Sequence, residues 1–273
     1  MNLGGSPAMN ANDDDSRSVW RLIPPMTADG ATQMAVDRWL FEQHAQGLHP
    51  PTLRFYTWEP VALSLGYHQR QIPEHWRSLT YQNQPIDLVR RPSGGRAVLH
   101  QGDLTYAVIT SGLGPSRNAA YEKICTFLIE GWRSLGVSLH YGTAGRGYIH
   151  NPNCFGTATR ADLVTDSGHK LIGSAQLRRG ECILQHGSMR LCPDSDLSYQ
   201  VFGTAPATDG VIQSAIGDPP DLATIITTLA TAAEQCFGIC FAAQPITNAE
   251  WRQIDALQID ALSNTRQNFH QSL

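Results

Sequence analysis

From Thr52 to Thr110 the chain breaks into five short β-prone runs, Leu53–Trp58, Val61–Tyr67, Ile86–Arg90, Ala97–His100 and Leu104–Thr110, divided by Gly, Pro and Asn. Nothing else in the sequence restricts the fold as much. Runs this short, bounded by turn residues, read as strands joined tightly, and a sheet built from them must bury a face. A cover follows directly. Tyr121, Ile124, Cys125, Leu128, Trp132 and Leu135 recur at i, i+3, i+4, i+7, i+11 and i+14, an apolar helical stripe that Gly136 stops. A second stripe over 221–237 carries Leu222, Ile225, Ile226, Leu229, Ala233 and Cys236 before Gly238, and a weaker one over 31–46 ends at Gly47 and Pro50-Pro51. Between them, Val137–Tyr141, Leu163–Thr165, Lys170–Leu177 and Cys182–Leu191 read as further strands. The last two are joined by a turn at Arg178-Arg179-Gly180, and Thr143–Phe155 is a Gly/Pro/Asn-rich loop. Strands fill the middle of the chain and helices flank them, without the regular βαβ alternation of a doubly wound sheet. The expected class is α+β, a mixed or antiparallel sheet flanked by helices.

Charge and composition narrow the function. The 20 Lys and Arg against 24 Asp and Glu give a formal charge of −4, and no basic run exceeds pairs such as Arg90-Arg91. A nucleic-acid partner, which asks for a basic face, is not expected. No apolar run approaches the roughly 20 residues of a membrane span. Residues 1–17 lack the basic and apolar regions of a signal peptide and read as a disordered tail on a cytoplasmic protein. The six cysteines are scattered without a CxxC pair or histidines at zinc spacing, so free thiols and no metal are expected.

Three stretches carry residue types that do chemistry. Arg90-Arg91-Pro92-Ser93-Gly94-Gly95-Arg96 joins two strands and leads to His100. Paired glycines let the backbone approach a ligand, and three arginines can hold carboxylate or phosphate oxygens; the alternative is a hairpin turn with solvated arginines. Lys170 opens the small-residue strand Leu171-Ile172-Gly173-Ser174-Ala175-Gln176, where an ammonium calls for a negative or developing negative charge, unless it is an ordinary exposed lysine. In the facing run Gln185-His186-Gly187-Ser188, His186 is either functional or a hydrogen-bonded core histidine. Cys154, within Asn151-Pro152-Asn153-Cys154-Phe155-Gly156, sits in loop rather than core context. Near a cation such as Lys170 or Arg91 its thiolate would be favoured.

These motifs, in order with Asp103-Leu104-Thr105-Tyr106, resemble the biotin/lipoate protein ligase superfamily over about residues 30–240. Within it, Cys154-Phe155 ahead of the lysine motif is similar to the cysteine-dependent octanoyl-carrier-protein:protein N-octanoyltransferases, relatives of lipoate-protein ligase A; ligases typically show Asn-Asp there. The Asp162-Leu163-Val164 element is common to both groups. The resemblance implies a catalytic domain over 18–245 of the class II aminoacyl-tRNA synthetase and biotin synthetase type. A short amphipathic tail over 246–273 stands where larger ligases add an accessory domain. It implies Cys154 and Lys170 as catalytic residues. Arg91, Ser93, Gly94, Gly95, Arg96, His100, Gly173, Ser174, Ala175, His186 and Gly187 are implied to bind substrate, with the Arg-Ser-Gly-Gly loop walling an acyl tunnel. The implied reaction is protein lipoylation. Cys154 takes an octanoyl or lipoyl group from acyl carrier protein and passes it to a lysine of a lipoyl domain or of glycine-cleavage H protein, with no cofactor. Lys170 and loop N–H groups would stabilise the oxyanions, and His150, His169 and His186 are candidate bases. The alternatives are an ATP- and Mg-dependent lipoate-protein ligase acting through an acyl-adenylate, and a non-catalytic acyl-binding module.

Overall fold

The computed structural model describes residues 17–142, 162–203, 212 and 220–258. In chain order β1 (Ser18–Ala28) leads into α1 (Gly30–Ala45), and β2 (Thr52–Trp58) and β3 (Ala62–Leu65) follow. A 3-10 turn (Glu74–Ser78) then precedes β4 (Thr80–Tyr81), β5 (Gln84–Pro85), β6 (Asp87–Arg90), β7 (Val98–His100) and β8 (Asp103–Thr110). Helix α2 (Arg117–Ser134) is followed by β9 (Leu139–Tyr141), β10 (Asp162–Thr165), β11 (Lys170–Arg179), β12 (Cys182–Arg190), α3 (Ser195–Phe202), α4 (Leu222–Phe237) and β13 (Ile239–Ala243). A last helix runs over 248–258. Side chains start the helices. Asp29 accepts a hydrogen bond from the Thr32 N–H, Asp194 from that of Leu197 and Asp221 from that of Thr224, each holding a backbone donor that the first turn leaves orphaned.

Eight strands form the main sheet in the order β13-β1-β2-β8-β12-β11-β10-β9. The first three are mutually parallel and every later neighbour is antiparallel, so the expected mixed sheet is what forms. Alternation along the strands sends Leu53, Phe55, Tyr106, Val108 and Ile183 to one face, where they meet Ile124, Leu128 and Trp132 of α2 and Leu229 of α4. The opposite face, with Tyr56, Ala107, Ile109 and Leu184, meets Val36, Trp39 and Leu40 of α1. A small sheet, β6-β3-β7, packs Leu63 and Leu99 with Trp76 and α3 into a third cluster.

Two of the departures from the sequence expectation bear on the α1 side of the domain. Strand β1 is absent from that expectation because Pro24-Pro25 interrupts the run. In the structure those prolines fall where the register with β2 shifts between Ile23 and Met26, at a break in the ladder. Residues 248–258, read as an amphipathic tail, are a helix docked on the α1 side of the domain with Ile254 fully buried. Arg21 of β1 forks onto Glu250 at 2.7 and 2.9 Å, and the Trp39 indole N–H donates to Gln253 Oε1 at 3.0 Å.

Candidate active site

The register of the central strands lays two rows of residues across the α1 face. Arg54, Ala107, His186 and Ala175 are successive cross-strand partners, and two residues along come Tyr56, Thr105, Ser188 and Gly173. Above them α1 presents Asp37 among its buried residues. A carboxylate with no exposure needs several partners, and Asp37 has three: it accepts from Arg54 Nη1 at 2.9 Å, from the Tyr56 hydroxyl at 2.9 Å and from His186 Nδ1 at 2.7 Å. Burial by itself would raise its pKa, but the Arg54 charge and the His186 and Tyr56 hydrogen bonds outweigh burial and hold the carboxyl below its ordinary value. With Nδ1–H given to Asp37, the Nε2 of His186 faces Ser93 Oγ of the glycine loop at hydrogen-bonding distance.

A second chain of the same kind lies beside it. His100 Nδ1 donates to Asp103 Oδ2 at 2.8 Å, and that oxygen also accepts from Ser188 Oγ at 2.6 Å and Thr105 Oγ1 at 3.2 Å. Ser64 Oγ accepts from Arg91 Nη1 at 3.2 Å and lies within hydrogen-bonding distance of His100 Nε2, at 2.8 Å. Trp58 stacks on the His100 ring with centroids 3.9 Å apart and caps it from solvent. Two serine–histidine–carboxylate chains thus lie side by side, one built from β12, α1 and the glycine loop and the other from β3, β7 and β8, each ring with a carboxylate at its Nδ1.

Between them is a cavity of about 50 Å³. Of the residues expected to bind substrate, Arg91, Gly95, His100, Gly173, Ser174, Ala175, His186 and Gly187 line it, together with Ser64, Trp58 and Met34. Ser93 and Gly94 line a wider groove that shares Met34 and Arg91 with the cavity, and Arg96 supplies a carbonyl to the loop. The glycines have distinct duties. Gly95 has φ +93°, and a Cβ there would lie 2.8 Å from Arg91 Nη2; a Cβ on Gly187 would lie 2.4 Å from Ser174 Oγ.

Arg91 differs from the sequence expectation. It donates to Ser64 O and Oγ, twice to Gly94 O and once to Arg96 O, which matches the five N–H groups of a guanidinium. Arg90 likewise donates to the carbonyls of Gly66, Tyr67 and Gln69. These two arginines brace the loop rather than offering their forks to a bound anion, because a backbone folded so tightly leaves carbonyls that need donors.

Lys170 is buried, and its Nζ lies 2.7 Å from Asp162 Oδ1. Asp162 is the cross-strand partner of Gly173, so this ion pair adjoins the Gly173 wall of the cavity. His169 is at a turn, its Nδ1 2.9 Å from Ser167 Oγ. Cys154 and His150 lie outside the described residues. Among the described cysteines, burial pushes the thiol of Cys125 up to about 12 and that of Cys182 to about 11, so both stay protonated at neutral pH and are packing residues. Sequence reasoning missed Asp37, Arg54 and Ser64. The available signal was an aspartate in register with Met34 and Leu40 on a buried helix face, a charge that has to be answered by another element.

The same architecture recurs in solved lipoate-protein ligases. The crystal structure of lipoate-protein ligase A bound with ATP superposes with a TM-score of 0.70 at 21% identity, covering 87% of this chain and 93% of that one. The putative lipoate protein ligase Ta0514 from T. acidophilum with bound lipoic acid gives 0.72 at 20%, covering 88% and 94%. At such identities the fold is what is shared, and it defines the class: an α+β domain with the fold of the lipoate-protein ligases. The sequence places the chain within it more closely. It belongs to the family described as the lipoyl protein ligase A/B catalytic domain, whose profile matches residues 29–229. It is 38% identical over 197 residues to octanoyltransferase LipM of Anoxybacillus flavithermus, covering 68% of this chain and 70% of that protein. It is 36% identical over 197 residues to octanoyltransferase LipM of Bacillus subtilis, with the same coverages. The chain is therefore an enzyme of the acyl-transferring kind. No helix among its described residues is long and apolar enough to cross a membrane.

Proposed function

We propose that this chain is an octanoyltransferase that moves an octanoyl group from acyl carrier protein, through a thioester on Cys154, to a lysine of a lipoyl domain or of glycine-cleavage H protein, in the cytoplasm and without ATP. The observation that carries the reading is the buried Lys170–Asp162 ion pair beside the cavity, in a chain 38% identical to an octanoyltransferase. A solved neighbour of the same fold, the bi-partite ligase of Thermoplasma acidophilum, is described with its E2 lipoyl domain. That supports the same class of acceptor here.

In the first step the Cys154 thiolate attacks the thioester carbonyl, a new C–S bond forms, and the carrier's C–S bond breaks to release its thiolate, which takes up the proton that the Cys154 thiol gave up. Thioester is exchanged for thioester, so no activation by ATP is needed. In the second step the acceptor lysine, as free amine, attacks the enzyme thioester, the amide forms and Cys154 leaves as thiolate. Amide formation from a thioester is downhill and draws the cycle forward. Each step passes through an oxyanion, for which a cation fixed in a dry site is a suitable partner, and Lys170 is such a cation; removing one donor of this kind costs about 10²–10³ in rate. Of the three candidate bases, His186 lines the cavity with the Asp37 carboxylate behind its ring, and we assign it the proton of the incoming amine.

The test is an incubation with octanoyl carrier protein in the absence of ATP, followed by the intact mass. A hydroxylamine-labile octanoyl adduct that maps to Cys154, and is lost in Cys154→Ser while circular dichroism stays unchanged, is expected. Modification of a lipoyl domain only when ATP and free octanoate are supplied would make the chain a ligase instead.

A further inference from the structure

Outside the cavity, the described residues enclose a groove of about 1240 Å³ that the reaction above does not use. Eight of the chain's 20 lysines and arginines line it against a single carboxylate, Glu42, although the whole chain carries a formal charge of −4. Glu42 is already paired with Arg179 at 2.7 Å, and beyond the lining Glu181 lies 3.7 Å from Arg178 and Glu74 3.4 Å from Arg77. Arg90 and Arg91 donate to backbone carbonyls. Arg38, Arg70 and Arg117 are exposed and meet no carboxylate among the described residues. They come from α1, from the segment after β3 and from the first position of α2. Separate elements therefore deliver like charge to one concavity, an arrangement that repels itself unless an anionic partner enters.

Resting on the donor reading above, we propose that this groove docks an acidic carrier protein whose acyl chain hangs on a phosphodiester-linked thiol arm. Arginines delivered by several separate elements are more than one phosphate would use, and they suit a protein face. The arm's phosphodiester adds a fixed anion that a lysine-bearing acceptor does not have. Geometry gives the arm a way in, because Met34 and Arg91 are walls of both groove and cavity. Charge at the rim of such a surface acts on encounter and orientation, so its removal shows in KM and salt dependence rather than in the chemical step.

The experiment compares octanoyl carrier protein with S-octanoyl-pantetheine as donors for the full chain and for Arg38→Glu, Arg70→Glu and Arg117→Glu, singly and together. Each reversal is expected to raise the KM for the carrier about fivefold, and the triple variant more than about 50-fold. The salt dependence of KM should flatten, with kcat and the pantetheine reaction unchanged. An unchanged carrier KM overturns the proposal. So does an equal loss with both donors, which is damage to the site, or a rise confined to the KM of the lipoyl-domain acceptor, which makes the groove the acceptor's. If neither donor acylates the chain, the transferase reading fails by itself. The groove is then judged by fluorescence anisotropy with labelled, unacylated carrier at low salt: binding lost in the triple variant supports it, and no binding to the parent chain overturns it.

Discussion

Asp37 and Arg54 are the residues whose environment leaves them least freedom. Both are wholly buried, and each is the other's compensating charge. Truncation of Asp37 to Ala leaves the guanidinium buried without its carboxylate, and a loss of about 3–5 kcal/mol in denaturant unfolding is expected. Two adjacent glycines separate backbone demand from mere proximity to the site. Gly94 has nothing within 4 Å of where a Cβ would stand, whereas Gly95 combines a φ of +93° with the close Arg91 fork. Gly94→Ala should keep the melting temperature of the parent, while Gly95→Ala should lose about 1–3 kcal/mol and displace the Arg91 brace. Equal melting temperatures would mean that the loop has another conformation open to it.

The helix over 248–258 shows how a local signal and a distant one combine. Thr247 and Glu250 form a capping box: Thr247 Oγ1 accepts from the Glu250 N–H, and Glu250 Oε2 accepts from the Thr247 N–H. The same carboxylate takes the fork of Arg21 from β1. Burial would raise the Glu250 pKa, but the Arg21 hydrogen bond, the Thr247 N–H and the Arg21 charge bring it down to about 2 from 4.5. A carboxyl whose folded pKa is depressed stabilises the fold above its unfolded pKa and loses that contribution as pH falls through the folded one. Glu250→Gln is therefore expected to cost about 2 kcal/mol at pH 7. The gap from the parent should narrow as pH falls below 4.5 towards 2, as urea titrations at a series of pH values would show. A pH-independent gap would place the effect in the capping geometry rather than in the charge.

Across the whole molecule, one sheet serves two purposes. Its α2 and α4 face is an apolar core, and its α1 face carries buried polar chains with the cavity among them. The site face is closed partly by the last helix, through Ile254 in the α1 cluster and the Gln253 contact to Trp39. Ending the chain after residue 245 removes that cover and strips Arg21 of its carboxylate. A fall of about 10 °C in melting temperature is expected, with red-shifted emission as Trp39 meets water. A truncated chain that melts with the parent would show that the helix is dispensable to the fold.

The α+β class, the two strong helices and the strand-rich middle were legible in the sequence, because period and turn residues are local properties that neighbouring positions report. The Arg-Ser-Gly-Gly loop and the lysine strand were legible as motifs, for the same reason. The capping box Thr247–Glu250 was also there to be read, yet whether its helix joins the domain depends on Arg21, 229 residues away. Likewise Asp37 and His186 are 149 residues apart, and nothing near either one in the chain names the other. Strand register brought His186 beneath α1, split the β3 and β6 runs into a second small sheet, and turned Arg91 inward onto carbonyls. Those outcomes belong to the tertiary structure, because a buried charge or an orphaned carbonyl is satisfied by whatever the folded chain places beside it.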